Sequence, residues 1–263
     1  MIRLQRKMQF ISMLLVLLMA FGCAPPRQKP NDEEVNTGGS DEIETALRVF
    51  EDLGLELPLN DLSAFSENTN QDFTFLPDPN DLISDKEAIN NAIDSLELAL
   101  ANMEDPDNSL QGAYVHIYTG YAHILSGVAE LQEIDPNIVT LNADESYDFN
   151  LPSSPPADVQ PVVDAYFLLT GENLVAEWSP PVGDWSGIVN PVDNPDLPQT
   201  TSALEELETA IDIIAATLPD ADPDELDELL TEIDSGLHGD PAVTNDGSFY
   251  DTLIGWGYTP ITP

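Results

Sequence analysis

Two apolar stripes at helical spacing, parted by one short breaker, constrain this chain more than any other feature. Apolar residues recur three and four apart at Ile89, Ala92, Ile93, Leu96, Ala99, Leu100 and Met103, which draws one line down a helix of 3.6 residues per turn. Ser84-Asp85-Lys86-Glu87 reads as a capping box that opens this helix, Ser and Glu each satisfying a backbone donor of the first turn. Glu104-Asp105-Pro106-Asp107 closes it. Asn108-Ser109-Leu110-Gln111 can cap a second helix, whose stripe runs from Leu110 and Ala113 through Tyr114, Ile117, Tyr118, Tyr121, Ile124, Leu125 and Val128 to Leu131 and Ile134. Helices joined by so short a link lie antiparallel and bury their stripes against each other. The expectation is a helical hairpin over residues 84–135.

The pattern has one echo. Ala203 to Ile211 repeats the pattern of Ala92 to Leu100, again behind a capping box, Ser202 with Glu205. Asp222-Pro223-Asp224-Glu225 then offers a cap, a proline at the first helical position and an acid at the third, ahead of Leu226, Leu229, Leu230, Ile233 and Leu237. A second hairpin is expected over 202–238. Ala92, Leu96 and Ala99, then Pro106, Gly120-Tyr121 and the ending Glu133-Ile134-Asp135-Pro136-Asn137 resemble a tetratricopeptide repeat, although the period of about 34 residues typical of such arrays is not found. The resemblance implies an all-α fold of helical hairpins packed in a TPR-like arrangement, with a long irregular insertion at 140–200.

The amino terminus sets the compartment. Arg3, Arg6 and Lys7 precede an apolar run from Phe10 to Phe21, the layout of a signal peptide, with a core too short to span a bilayer comfortably. The run ends Ala20-Phe21-Gly22-Cys23, which resembles the lipobox of bacterial lipoproteins. Ala20 and Phe21 depart from the usual Leu and small residue. The resemblance implies cleavage after residue 22, a lipid on Cys23 and, with Ala24 rather than Asp next, sorting to an outer membrane. Cys23 is the single cysteine of the chain, so no internal disulfide competes for it. Residues 23–40, rich in Pro, Asn, Gly and acid, read as a flexible tether, and residues 41–263 as one acidic helical domain.

Within that domain, Asp41 to Leu53 reads as a first short helix through Ile43, Ala46, Leu47 and Phe50, with Gly54 as its stop. Leu55 to Asn80 is irregular. Val159 to Leu169 can be helical, Pro161 being tolerated in a first turn and Gly171 ending it. Trp178 and Trp185 lie in a proline-rich stretch, where they form either a sugar-stacking platform or anchors to the core. The aromatic tail, residues 247–258, is expected to cap the helical stack.

Charge excludes whole classes of partner. Lys and Arg number 7 against 49 Asp and Glu, a formal net charge of −42, and no Lys or Arg follows Lys86. A disordered acidic chain is poor in apolar residues, whereas this one is 42% hydrophobic and can bury a core. The composition resembles that of proteins from salt-loving organisms, and its self-repulsion argues against nucleic acid and anionic membrane surfaces as partners. Asp220, Asp222 and Asp224 open with the spacing of a calcium loop. Glu225 and Thr231 then stand where that loop needs Gly and a bidentate Glu.

Chemistry is sparse. His116 and His123, seven apart, share a helix face with Gly112, Gly120 and Gly127, a stripe that admits close approach by a helix or a ligand. The helical zinc pattern places its histidines four apart, so no metal set is expected. No nucleophile elbow, phosphate loop or dinucleotide fingerprint occurs, so neither a catalytic residue nor a cofactor is expected. The candidate ligand-binding residues are His116, Gly120, His123, Trp178 and Trp185. The chain reads as a lipid-anchored, extracytoplasmic binding or scaffold lipoprotein with a protein partner. The alternative is a periplasmic or surface solute- or glycan-binding accessory of a transport system, in keeping with a resemblance to lipoprotein components of tripartite periplasmic transporters. A scaffold predicts a surface groove and a basic partner.

Overall fold

The computed structural model describes residues 40–53, 77–141, 147–152, 154–172, 189, 191–195, 197–198, 201–217, 252 and 256. Described residues are mostly helical. Five helices, α1 (Ser40–Asp52), α2 (Pro79–Asn102), α3 (Leu110–Ile134), α4 (Gln160–Thr170) and α5 (Ala203–Thr217), are accompanied by one antiparallel ribbon of β1 (Val139–Leu141) and β2 (Tyr147–Phe149). Cys23, Trp178, Trp185 and the expected helix over residues 222–238 lie outside the described residues.

Helix α2 begins earlier than the capping box at Ser84 suggests. Asp78 is its N-cap, with Oδ1 accepting the Asn80 N–H at 2.9 Å, and Pro79 opens the first turn. Proline costs nothing there because its missing donor would have gone unused. The extra turn buries Leu82 completely, and Ser84 instead turns its hydroxyl back to the Asp81 carbonyl at 2.8 Å. Two start signals compete in this stretch, and the one that adds a buried leucine prevails. At the other end the Met103 N–H is shared between the carbonyls of Ala99 and Leu100.

The link to α3 is tight. Asp105 takes a left-handed conformation at φ 67°, which Asp tolerates better than most residues, and Asn108 Nδ2 donates to its Oδ1 at 2.7 Å. Ser109 then caps α3, its Oγ accepting the Gly112 N–H at 3.0 Å. Lys86 reaches Glu130 and Glu133, and Ser126 donates to Asn90. Later residues of α3 thus meet earlier ones of α2, which makes the hairpin antiparallel as its stripes require.

The stripe on α3 understates its burial. From Val115 to Gln132 every residue of this helix is buried, because α2, α4 and α5 all pack on it. A helix covered all round is the centre of a fold rather than half of a surface hairpin. Small residues make room for the neighbours. At Gly120 an added Cβ would stand 3.1 Å from the Ala203 carbonyl oxygen, and at Gly127 3.3 Å from Leu169. Helix α1 completes the core by burying Ala46 and Phe50, the Phe50 ring lying edge-on to Tyr121 at 5.9 Å.

The stretch expected to be an irregular insertion contributes to this core. Helix α4 is buried along its whole length after Gln160, has Pro161 in its first turn, and ends at Gly171 with φ 78°. The capping box ahead of α5 forms as its spacing predicts, with the Ser202 N–H on Glu205 Oε2 at 3.0 Å and the Glu205 N–H on Ser202 Oγ at 3.3 Å. From the tail, Trp256 is buried and donates its indole N–H to the Pro152 carbonyl at 3.1 Å.

Candidate functional site

Three polar assemblies surround α3. The first lies between α3 and α5, which run antiparallel so that His116 and His123 face opposite ends of one short stretch. His116 Nδ1 stands 2.6 Å from Glu206 Oε2. Thr201 donates to the other oxygen of the same carboxylate, Oε1, at 2.6 Å, and the Thr201 hydroxyl lies 3.5 Å from His123 Nε2. Both histidines thus converge on Glu206, a buried acid that the sequence placed on a helix start and nowhere near them. Burial pushes the His123 imidazole down to about 4, against a smaller upward pull from Glu206, so it is neutral at physiological pH. His116 Nε2 faces Asp107 at 3.8 Å, and neither that nitrogen nor His123 Nδ1 has a hydrogen-bond partner among the described residues. Gly120 sits between the two histidines with α5 backbone and the Leu207 side chain against it. The small-residue face is therefore occupied by a helix, and its chemistry is that of a buried polar clasp. Among the described residues no group of three or more His, Cys, Asp or Glu side chains is gathered to hold a metal ion.

The second assembly ties α2 to α3 and α4. Lys86 Nζ lies 2.5 Å from Glu130 and 3.1 Å from Glu133. Burial pulls the Lys86 ammonium down, but the two glutamates outweigh it and hold it above its usual range. Burial pushes Glu130 up to about 7 in spite of Lys86. Asp164 on α4 is likewise pushed up to about 6 by burial, opposed by hydrogen bonds from Gln160 and Asn194 and by the Lys86 charge. Gln160 extends the network outward. Its Nε2 donates to Asp164 Oδ1 at 2.7 Å and to the Val189 carbonyl at 2.8 Å, while its Oε1 accepts the Val189 N–H at 2.6 Å. Asn194 Nδ2 donates to Asp164 Oδ2 at 3.2 Å. The buried charges thereby anchor the segment around residues 189–198 to the helical core.

That anchoring creates the third feature, a groove of about 810 Å³ along the outer face of α2. Its floor carries Lys86, Glu87, Asp94 and Glu97, interspersed with Asn90 and Asn91. The facing wall is Pro195, Leu197 and Pro198, held in place by the Asn194 bond to Asp164. Lys86 is consumed by Glu130 and Glu133, which leaves the acids of the floor uncompensated. Burial pushes Glu97 up to about 7, with further increments from the charges of Asp94 and Glu206. Glu97 Oε1 has no hydrogen-bond partner among the described residues. Sequence reasoning did not single out Glu97 or Asp94, because acids on a solvated helix face carry no signal when 49 are present. The absence of any Lys or Arg after Lys86 was the one available clue that this lysine had a special place.

A comparison of the chain with protein families, with curated proteins and with solved structures finds no match in any of the three. Among the described residues no helix is long and apolar enough to cross a membrane.

Proposed function

We propose that this chain is an extracytoplasmic binding lipoprotein without catalytic activity, anchored to an outer membrane by a lipid on Cys23, whose helical domain receives a partner protein in the groove along α2. Its hairpins are assigned a TPR-like arrangement, in which paired helices present a concave surface to a partner. The groove is the observation that carries this reading. It is bounded by one helix face and one proline-rich wall, and it presents more charged and amide groups than apolar ones. Small-molecule sites are typically enclosed and mostly apolar, whereas a polar, open groove suits a segment of another protein. The two histidines support the same preference, since His116 meets Glu206 and His123 lies beside Thr201 within the packed α3–α5 interface.

Two measurements in native envelopes test the reading. Metabolic labelling with palmitate should mark the chain, and Cys23→Ser should abolish the label. A photo-crosslinking residue at Asn91, on the exposed side of α2 in the groove, should capture a discrete protein adduct that the same residue at Glu208, on the exposed side of α5, does not. Equal capture at both positions would sink the assignment of the groove.

A further inference from the structure

We propose that the wall of the α2 groove is a proton-controlled strap, docked while Asp164 is neutral and released as Asp164 ionises, so that the groove widens as acid solution is brought to neutrality. The strap regulates the groove assigned above and rests on that reading for its purpose.

The strap is latched on one buried carboxyl. Asp164 is 3% exposed, and among the described residues its two oxygens are met by neutral amides, Gln160 Nε2 at 2.7 Å on Oδ1 and Asn194 Nδ2 at 3.2 Å on Oδ2. Gln160 also holds the Val189 backbone by both its carbonyl and its N–H. The strap adds the buried Leu197 and Pro198, while Val189, Asp193 and Pro195 stay exposed.

The charges around the latch decide its ionisation. From α2, Lys86 favours the carboxylate, but its ammonium is held by Glu130 and Glu133 of α3, and Glu130 is itself an anion repelled by Asp164. Asp158, ahead of α4, repels the carboxylate too. From α5, Glu205 stands beside Gly171, at the opposite end of α4. A buried carboxylate with neutral donors and no cation of its own is costly, and neutralising it relieves the cost. Burial accordingly pushes Asp164 up to about 6, against the two amide bonds and the Lys86 charge.

The neutral acid keeps both contacts. Gln160, fixed by Val189, still donates to Oδ1, while the acid O–H on Oδ2 donates to Asn194 once that amide turns its oxygen inward. Undocking the strap returns the carboxyl to water and toward its ordinary range. Docked Asp164 therefore holds its proton to higher pH than undocked Asp164. Docking is strongest below the ordinary carboxylate range and weakens as pH climbs through about 6.

Amide hydrogen exchange of the whole chain, corrected for the intrinsic effect of pH, tests the strap. It is read at Val189, Asn194 and Leu197, whose N–H groups are bonded to Gln160 Oε1 and to the Pro191 and Asn194 carbonyls. Their opening should increase roughly five- to tenfold between pH 5 and 7, as for release of one proton, and should run ahead of the central amides of α3, which report global unfolding. Asp164→Asn, which imitates the neutral acid, should keep the strap closed at pH 7 and abolish the dependence. Asn194→Ala should open it already at pH 5. Strap amides that exchange in step with α3, a pH dependence that survives Asp164→Asn, or an Asn194→Ala strap as protected as the parent's each overturns the proposal. The exchange is read without a partner, so failure to capture one at Asn91 sinks the binding reading alone.

Discussion

His116 Nδ1 and Glu206 Oε2 meet at 2.6 Å across the interface of α3 and α5, both side chains almost wholly buried. The contact joins the second helix of the first hairpin to the segment, Ala203 to Ile211, that echoes the pattern of its first helix. Glu206 also accepts from Thr201, so one carboxylate organises the approach of the last described helix to the central one. Glu206→Ala should therefore cost about 3 kcal/mol, in the range for breaking a buried pair by removing one partner. Glu206→Gln should cost less, because the amide oxygen still accepts. Urea unfolding followed by circular dichroism checks both.

The glycines of α3 separate into unequal sites. An alanine Cβ at Gly112 would lie 1.9 Å from the Pro106 carbonyl oxygen, whereas at Gly127 its nearest neighbour is the Leu169 side chain at 3.3 Å. Helix propensity alone favours Ala over Gly by about 1 kcal/mol. Gly127→Ala should stay within about 1 kcal/mol of the parent, while Gly112→Ala should destabilise by about 2 kcal/mol or more, as overpacking against rigid backbone does. Equal effects in denaturant titrations would contradict the close approach of the turn.

Stability should decline as pH rises from mildly acid solution toward neutrality. Glu97 and Glu130 are pushed up to about 7 and Asp164 to about 6, so between their ordinary values and these the folded chain binds more protons than the unfolded one. Their stabilising effect is complete below the unfolded values and is lost as pH climbs through the folded ones. His123, pushed down to about 4, works in the opposite sense, its contribution being lost as pH falls from about 6.5. The expected profile is a maximum in mildly acid solution and a fall from there to about pH 7 of roughly 1 kcal/mol per pH unit for each carboxylate crossed. His123→Gln should flatten the acid side only.

Lys86→Met isolates the pair with Glu130. At pH 8 the change leaves a buried carboxylate uncompensated and should cost about 3 kcal/mol. Near pH 5 Glu130 is protonated and the cost should shrink by more than half. A penalty independent of pH would show that the lysine stem, rather than its charge, is what matters.

Salt should stabilise this protein. With 49 acids against 7 bases, repulsion across the surface is screened as the Debye length shrinks from about 30 Å at 0.01 M to about 3 Å at 1 M. Thermal unfolding in sodium chloride should shift upward by several degrees over that range, of the order expected for about 1–2 kcal/mol in a domain of this size.

Much of the local structure was legible because its causes are local. The Ser109 cap, the stop at Gly171, the proline in the first turn of α4 and the reciprocal pair of Ser202 and Glu205 each depend on residues within one turn of each other, and each forms as its spacing dictates. The two apolar stripes likewise specified the antiparallel contact of α2 with α3. The start of α2 was misplaced because Asp78-Pro79 and Ser84-Glu87 are both valid openings, and the choice between them turns on burying Leu82, a tertiary gain.

Tertiary structure alone decided the rest. Periodicity marks the apolar side of a helix, but small residues such as Gly120 and Gly127 give no apolar signal although they admit α5 and α4 to within van der Waals contact. Hence α3 read as a two-sided helix and is in fact enclosed. The meeting of His116 with Glu206 and of Lys86 with Glu130 joins residues far apart in the chain, and no spacing rule reaches that distance. The groove exists because Asp164 and Asn194 bring a distant wall to α2. Caps and stripes are energies of neighbours along the chain, which a sequence displays; burial, and the partners that make it bearable for a charge, are properties of the packed whole.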